Sequence, residues 1–402
     1  MSTATPRKPY AIYAITVHGL AIGARLAAAL PGADLIVSKK LVDRAPAGSI
    51  ELPLPMGPTL ASTFTAYDCH VFVISVGAVV RMIAPLLLDK KVDPAVVCVD
   101  DDARFSICVL SGHVGRGNAF TDRVAQALGA TPVVTTASDV RGTLTVDILG
   151  RDLGWTLDDP DRNVTSGCAA VVNAAPVLFV QEAGEPAWWP LDRPLPEGVT
   201  YATSLEGVDP EAFEMLLIAS DRDLRRGHPR HWERAVIYRP KSLVLGVGCD
   251  RDTPTALVER GIRAILDREE FAFASVKALA TVDRKADEVA FLEIAKRFDW
   301  PLRTFTAGEL DAVPGIETPS AMVAKHVGTR GVAEPAALLA AGAERLALTK
   351  QIYTEAGAGR SMTLAVARIP FPSRLHPNVA PGAIPQGDVG GGRAPALRTA
   401  GA

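Results

Sequence analysis

AVVCVDDDARFSICVLSGHVGRGNAFTDRVAQALG, residues 95–129, decides the fold class. Two runs rich in β-branched residues, Ala95 to Val99 and Ser106 to Leu110, precede a glycine-bent turn and then an amphipathic helix. In that helix Phe120, Val124 and Leu128 recur at helical spacing while Asp122, Arg123 and Gln126 face outward, and Gly129 supplies the stop. Runs that are apolar at nearly every position belong to strands buried on both faces, the mark of a parallel sheet covered by helices. The alternation continues outward. AIYAIT (11–16), GLAIGARLAAAL (19–30) and DLIVS (34–38) read as one βαβ unit. VFVIS (71–75) leads into a helical stretch at 76–88 that contains Pro85, and PVVTT (132–136) follows the central helix. Residues 1–145 are therefore expected to form a Rossmann-like parallel-sheet domain in an α/β protein.

From Val146 the text changes character. AAVVNAAPVLFVQE (169–182) reads as a hairpin-like pair of β runs, AWWPLDRPLP (187–196) as a connection, and EMLLIAS (214–220) as another β run. A small central α+β domain over 146–238 is expected, with Arg225 to Arg234 as an exposed link. SLVLGVG (242–248) opens a third unit, a C-terminal α/β domain over 239–370. There Thr253 suits an N-cap and Pro254 the first position of a helix over 253–266. Further elements are read at 278–283, 287–298, 301–305, 320–328, 334–342, 346–352 and 362–369. The Pro- and Gly-rich residues 371–402 are expected to be a disordered tail.

Length and composition agree with this division. At about 150 residues per domain, 402 residues make two or three. With 48% apolar and 22% charged residues the chain is globular in type, and no apolar run approaches the roughly 20 residues of a membrane span. The first ten residues lack the apolar core of a secretory signal, so a cytoplasmic location is expected. A net charge of −3 offers no basic field to nucleic acid. Five scattered cysteines read as buried free thiols rather than a disulfide framework or a zinc site.

LSGHVGRGN (110–118) is the sharpest local feature. Gly112, Gly115 and Gly117 permit close backbone approach, and the helix that begins near Asn118 offers unpaired N–H groups to an anion or oxyanion. His113 suits a general acid or base, and Ser111 stands beside it without an evident partner. An ordinary strand-to-helix turn is the bland alternative. The run fits neither GxGxxG, nor a P-loop, nor GxSxG, which disfavours a generic nucleotide-binding enzyme. GVGCDRDT (246–253) sets Cys249 and Arg251 at another helix start, where Cys249 could equally be packing. TVDRKADE (281–288) places Asp283 and Lys285 just past a β run, and TKQIYTEAGAGR (349–360) adds Lys350 and Tyr353. A solvated charge cluster and an ordinary hairpin are the respective alternatives. Asp100 to Asp102 read as a solvated turn, and His326 as a solvent-facing helical residue.

Taken together, residues 73–140, LVLGVGC, TVDRKADE, the run 319–342, TKQIY and LAVAR resemble the cobalt-precorrin-5A hydrolase family of the anaerobic cobalamin pathway. The resemblance spans the chain to about Ile369 and is weakest in the middle. Two departures stand out: Gly115-Arg116-Gly117-Asn118 where the family carries Gly-Gly-Ala-Asn, and Cys249-Asp250-Arg251-Asp252 where it carries Cys-Arg-Arg-Gly. The resemblance implies a hydrolase of vitamin B12 biosynthesis that opens the δ-lactone of a cobalt-bound tetrapyrrole and releases acetaldehyde. Cobalt would come with the substrate, and no cofactor would be bound by the protein. Under this reading His113, Ser111 and Asp283 are the catalytic candidates. Gly112, Gly115, Gly117, Asn118, Cys249, Arg251, Lys285, Lys350 and Tyr353 are the substrate-binding ones. The implied partner is the corrinoid intermediate, with no nucleic acid and no membrane, and with room for contacts with neighbouring pathway methyltransferases. A non-catalytic corrinoid-binding or handover protein is the alternative.

Overall fold

The computed structural model describes residues 6–137, 142–190, 193–314, 316, 318, 329–357 and 359–372. The expected helix at 320–328, His326 and the tail from 373 onward lie outside them. Two compact units form, divided after Ile148.

In the first unit β1 (Lys8–Ala14), α1 (Val17–Ala29) and β2 (Ala33–Ser38) make the expected βαβ unit, with β1 and β2 parallel. Thr16 caps α1, its hydroxyl accepting the Gly19 N–H at 2.9 Å. β3 (Ile50–Leu52) and α2 (Gly57–Thr63) come next, both too short for a periodic signal to reveal. β4 (Tyr67–Val73), α3 (Val76–Ile83), β5 (Ala95–Val99), β6 (Phe105–Leu110), α4 (Gly117–Leu128) and β7 (Thr131–Val133) complete the unit. α3 stops at Ile83, just before the 3-10 turn that holds Pro85, because proline removes a helical N–H.

The seven strands lie in the order β3-β2-β1-β4-β5-β6-β7. One apolar layer, with Tyr10, Ile12 and Ala14, packs under α1 and α4; the other, with Ala11, Tyr13 and Phe72, packs under α2 and α3. Alternate residues of β1 thus feed opposite cores, which is why the strand reads as continuously apolar. The sheet departs from an all-parallel reading at one place: β6 runs antiparallel to β5. Asp100 to Arg104 are too few for a crossover, which takes a dozen or more residues, and can only reverse the chain. Asp100 Oδ1 accepts the Phe105 N–H at 2.6 Å and closes that turn.

The second unit carries two five-stranded sheets. In the first are β8 (Thr156–Leu157), α5 (Val164–Val172), β9 (Val177–Gln181), β10 (Val199–Ala202) and β11 (Met215–Ala219). Two short helices, α6 (Leu224–Gly227) and α7 (Pro229–Glu233), lead to β12 (Ala235–Arg239). The strand order is β10-β9-β11-β12-β8, parallel except for β8. The run 169–182 is therefore the end of a helix and one strand, not a hairpin; Val164, Gly167, Ala170 and Val171 lie on the buried side of α5 at helical spacing. Arg225 to Arg234 is largely exposed, as expected, but is ordered as two short helices with anchoring contacts. His231 Nε2 lies 2.9 Å from the Val208 carbonyl, and Arg162 stacks over the Trp232 ring at 3.6 Å.

The second sheet contains β13 (Leu243–Cys249), α8 (Thr255–Arg268), β14 (Val276–Val282), α9 (Val289–Phe298), β15 (Leu302–Phe305), α10 (Ala307–Asp311), α11 (Ala333–Ala341), β16 (Leu346–Thr354) and β17 (Ser361–Arg368). Its order is β15-β14-β13-β17-β16, parallel from β13 to β15 and antiparallel through the β16/β17 hairpin. Thr253 does not cap α8; its hydroxyl donates to the Asp250 carbonyl at 2.7 Å, and Pro254 takes the cap position. Leu243, Leu245 and Val247 pack under α8 and α9, while Val244, Ala365 and Ala367 face α11. Five of the eight buried residues of α11 are alanine, which keeps its sheet-facing side small. At Gly246 a Cβ would meet the Ala333 carbonyl oxygen at 1.8 Å, so only glycine admits the start of α11 there.

Candidate functional site

The 110–118 loop is built by its own backbone. The Gly117 N–H donates to the Ser111 carbonyl at 2.8 Å, Asn118 N–H to Gly112 at 3.0 Å and Arg116 N–H to His113 at 2.9 Å. Those three donors are spent on closing the loop, which removes them from any oxyanion hole. The sharp bends fall at Ser111 (φ 57°) and Arg116 (φ 61°), and not at the loop glycines. Left-handed backbone costs a non-glycine residue roughly 1–2 kcal/mol, and the Ser111 hydroxyl anchors its bend by donating to the Asp93 carbonyl at 3.0 Å. Ser111 thus fixes the loop through its hydroxyl. Glycine serves close approach instead. A Cβ on Gly117 would come within 2.7 Å of the Leu110 carbonyl, on Gly115 within 2.5 Å of Ser111 Cβ, and on Gly112 within 2.8 Å of Asn118 Oδ1. Asn118 Nδ2 donates to Thr136 Oγ1 at 2.8 Å, tying the helix start to the segment after β7.

His113 stands on this rigid loop with its side chain 20% exposed, and its Nδ1 lies 3.5 Å from Asp147 Oδ2. Asp147 belongs to the short 3-10 turn Val146–Ile148, within the same compact unit. No motif in the sequence marks this carboxylate, which lies far along the chain at the point where the text changes character.

Of the other candidates, Cys249, Lys285 and Lys350 line a cavity of about 380 Å³ in the second unit, at the carboxyl ends of β13 and β14. Its wall is formed by Gly248, Cys249 and Asp250, by Arg284 and Lys285 after β14, by the start of α11, and by Lys350, Ile352, Ser361 and Thr363 of the hairpin. Carboxyl ends of parallel strands are where open α/β sheets take ligands. Lys350 is held at both ends: its N–H donates to Glu334 Oε1 at 2.9 Å and its Nζ to the Thr318 carbonyl at 2.7 Å. Burial opposes ionisation of Glu334, but the N–H groups of Lys350 and Thr318 and the Thr318 hydroxyl outweigh it and hold the carboxyl below its ordinary range. Lys285 Nζ sits 2.6 Å from Glu288 Oε2, a carboxylate only 2% exposed. Arg284, Lys285 and Lys350 share the cavity wall with Asp250, whose carboxylate accepts from the Ser361 N–H and hydroxyl.

Three expected residues take other roles, and Cys249 both lines the cavity and packs into the core. Arg251 makes a two-pronged pair with Asp287, both bonds 2.7 Å, so its fork is already filled. Asp283 is exposed and caps its own turn, Oδ1 accepting the Arg284 N–H at 2.7 Å. Tyr353 points to the opposite side of the sheet, against Gly261 of α8, because side chains alternate along β16 while Lys350 and Ile352 face the cavity. Cys249 packs against the same apolar cluster; burial pushes its thiol up to about 11, leaving it protonated at neutral pH. All five cysteines are free. Among the described residues, no three His, Cys, Asp or Glu side chains come together as a metal site.

Comparison with known proteins gives the family. Models described as Cobalamin synthesis G N-terminal, Cobalamin biosynthesis central region and Cobalamin synthesis G C-terminus match residues 58–139, 144–240 and 243–367. The chain is 39% identical over 375 residues to the cobalt-precorrin-5A hydrolase of Priestia megaterium, covering 91% of this chain and 96% of that one. It belongs to the cobalt-precorrin-5A hydrolase family. A second member, from Salmonella typhimurium, is 31% identical over 372 residues, covering 91% of this chain and 100% of its own length. Protein CobE of a Sinorhizobium species matches a shorter part, 35% identical over 133 residues, or 32% of this chain and 86% of that protein. Arg116 takes the left-handed backbone that glycine adopts without strain.

Proposed function

We propose that the chain opens the δ-lactone of cobalt-precorrin-5A and releases acetaldehyde, giving cobalt-precorrin-5B. The observation that carries this reading is identity to a cobalt-precorrin-5A hydrolase over nearly the full length of both chains. Water adds to the lactone carbonyl, the ring ester C–O bond breaks, and the liberated alcohol becomes the aldehyde carbonyl as its C–C bond to the macrocycle is cleaved, the electron pair passing into the ring. Such a sequence needs a group that takes a proton from water and returns one to the leaving oxygen. His113 on its braced loop is that group, with Ser111 and the loop glycines holding it in place. The macrocycle's carboxylates need cations, which Arg284, Lys285 and Lys350 supply at the cavity wall. Cobalt enters as part of the substrate, and the protein carries no cofactor of its own. The proposed compartment is the cytoplasm; separately, no helix among the described residues is long and apolar enough to cross a membrane. The corrinoid would pass between this chain and neighbouring methyltransferases.

Anaerobic incubation with the lactone-bearing substrate tests the reading. Acetaldehyde in large molar excess over protein is expected, whereas tight binding with no more than one equivalent released identifies a handover protein instead. Lys350→Ala is expected to weaken substrate binding by about 1.5–3 kcal/mol, the worth of a charge-assisted hydrogen bond, seen as a higher KM with kcat little changed. An unaltered KM in a variant of unchanged melting temperature removes Lys350 from the binding set.

A further inference from the structure

We infer that Asp147 is a positioning residue for His113: its carboxylate holds the imidazole by Nδ1, so that the proton exchanged in the reaction is the one at Nε2. The inference deepens the proposed role of His113 and rests on it. Asp147 side chain is 18% exposed, and Oδ2 lies 3.5 Å from His113 Nδ1. The other oxygen, Oδ1, is buried and has no hydrogen-bond partner among the described residues. A buried carboxylate oxygen left in that state is destabilising, and an exception of this kind in a well-packed unit calls for a reason beyond stability. An imidazole caught by a carboxylate at one nitrogen has its ring orientation and tautomer settled before substrate arrives, and the imidazolium formed during proton transfer is stabilised. The surroundings suit that purpose. His113 is carried by a loop whose backbone is closed on itself and braced by Ser111 on the Asp93 carbonyl, while Asp147 comes from a separate turn. The 3.5 Å separation is long for a hydrogen bond, as catalytic contacts often are before substrate binds.

The test is a double-variant cycle on the full chain with the lactone-bearing substrate, reading acetaldehyde release. Asp147→Asn, which keeps shape and loses charge, is expected to lower kcat about 10–100-fold, by analogy with the loss when the carboxylate behind a metal-ligating histidine is removed, with KM within about twofold and melting temperature retained. Asp147→Glu is expected to restore part of kcat. In His113→Asn the further change Asp147→Asn should have no additional effect, because the residue it positions is gone. If His113→Asn is inactive but Asp147→Asn keeps full kcat, or if the two losses simply multiply, the positioning role is overturned while the role of His113 stands. Full activity of His113→Asn overturns both.

Discussion

His113→Asn is expected to lower acetaldehyde release by a factor of about 10²–10⁴, the usual worth of a general acid or base. Asparagine keeps an amide N–H near the position of Nδ1, so Asp147 retains a donor, but it cannot carry a proton at neutral pH. The loop itself is held by backbone bonds from Arg116, Gly117 and Asn118 and by the Ser111 hydroxyl, none of which involves the imidazole. Melting temperature should therefore stay close to that of the parent, and the loss should appear in kcat. Cation-dependent binding belongs to a different set of residues, Arg284, Lys285 and Lys350, so KM should be nearly unchanged. Full acetaldehyde release from the variant would dismiss His113 as the proton-transfer group.

Arg368→Ala is expected to produce the largest loss of stability. Asp221, in the turn after β11, is 2% exposed; it takes the Arg368 Nε–H at 3.0 and 2.9 Å on its two oxygens and the Ser242 hydroxyl at 2.8 Å. These bonds join the two sheets of the second unit. Removing the guanidinium strands a buried carboxylate, for which about 3 kcal/mol is expected, the lower end of the range for breaking a buried pair, because Arg368 is itself 44% exposed. For a unit of this size the melting temperature should fall by roughly 6–12 °C. Adding Asp221→Asn to Arg368→Ala should recover part of the loss, since no charge is then buried. Chemical denaturation of the three proteins decides it; a loss under about 1 kcal/mol in the single variant, or no recovery in the double, refutes the pairing as a stabilising contact.

What was legible in the sequence was local. The helix 117–128 has Phe120, Val124 and Leu128 buried, Asp122, Arg123 and Gln126 exposed and Gly129 in the left-handed cap, as its periodicity predicts. The run 169–182 failed because alanine and valine are compatible with either element over so short a stretch, and packing made its first part a helix. The reversal at Asp100 to Arg104 was readable from the brevity of the turn. Within the candidate site, the braced histidine loop and the lysines after β14 and in β16 were visible as residue types at strand ends.

The sequence by itself determined the alternation of strands and helices, the glycine-dependent loop carrying His113, and membership of a recognisable family, because these depend on neighbours within a few residues. Only the tertiary structure decided that Asp147 meets His113, that Asp287 claims Arg251, and that Tyr353 faces α8 while Lys350 faces the cavity. Pairings of that kind depend on strand register and on which distant turn closes over which loop. A shift of one residue in a strand turns every side chain to the other face, and local composition does not encode it.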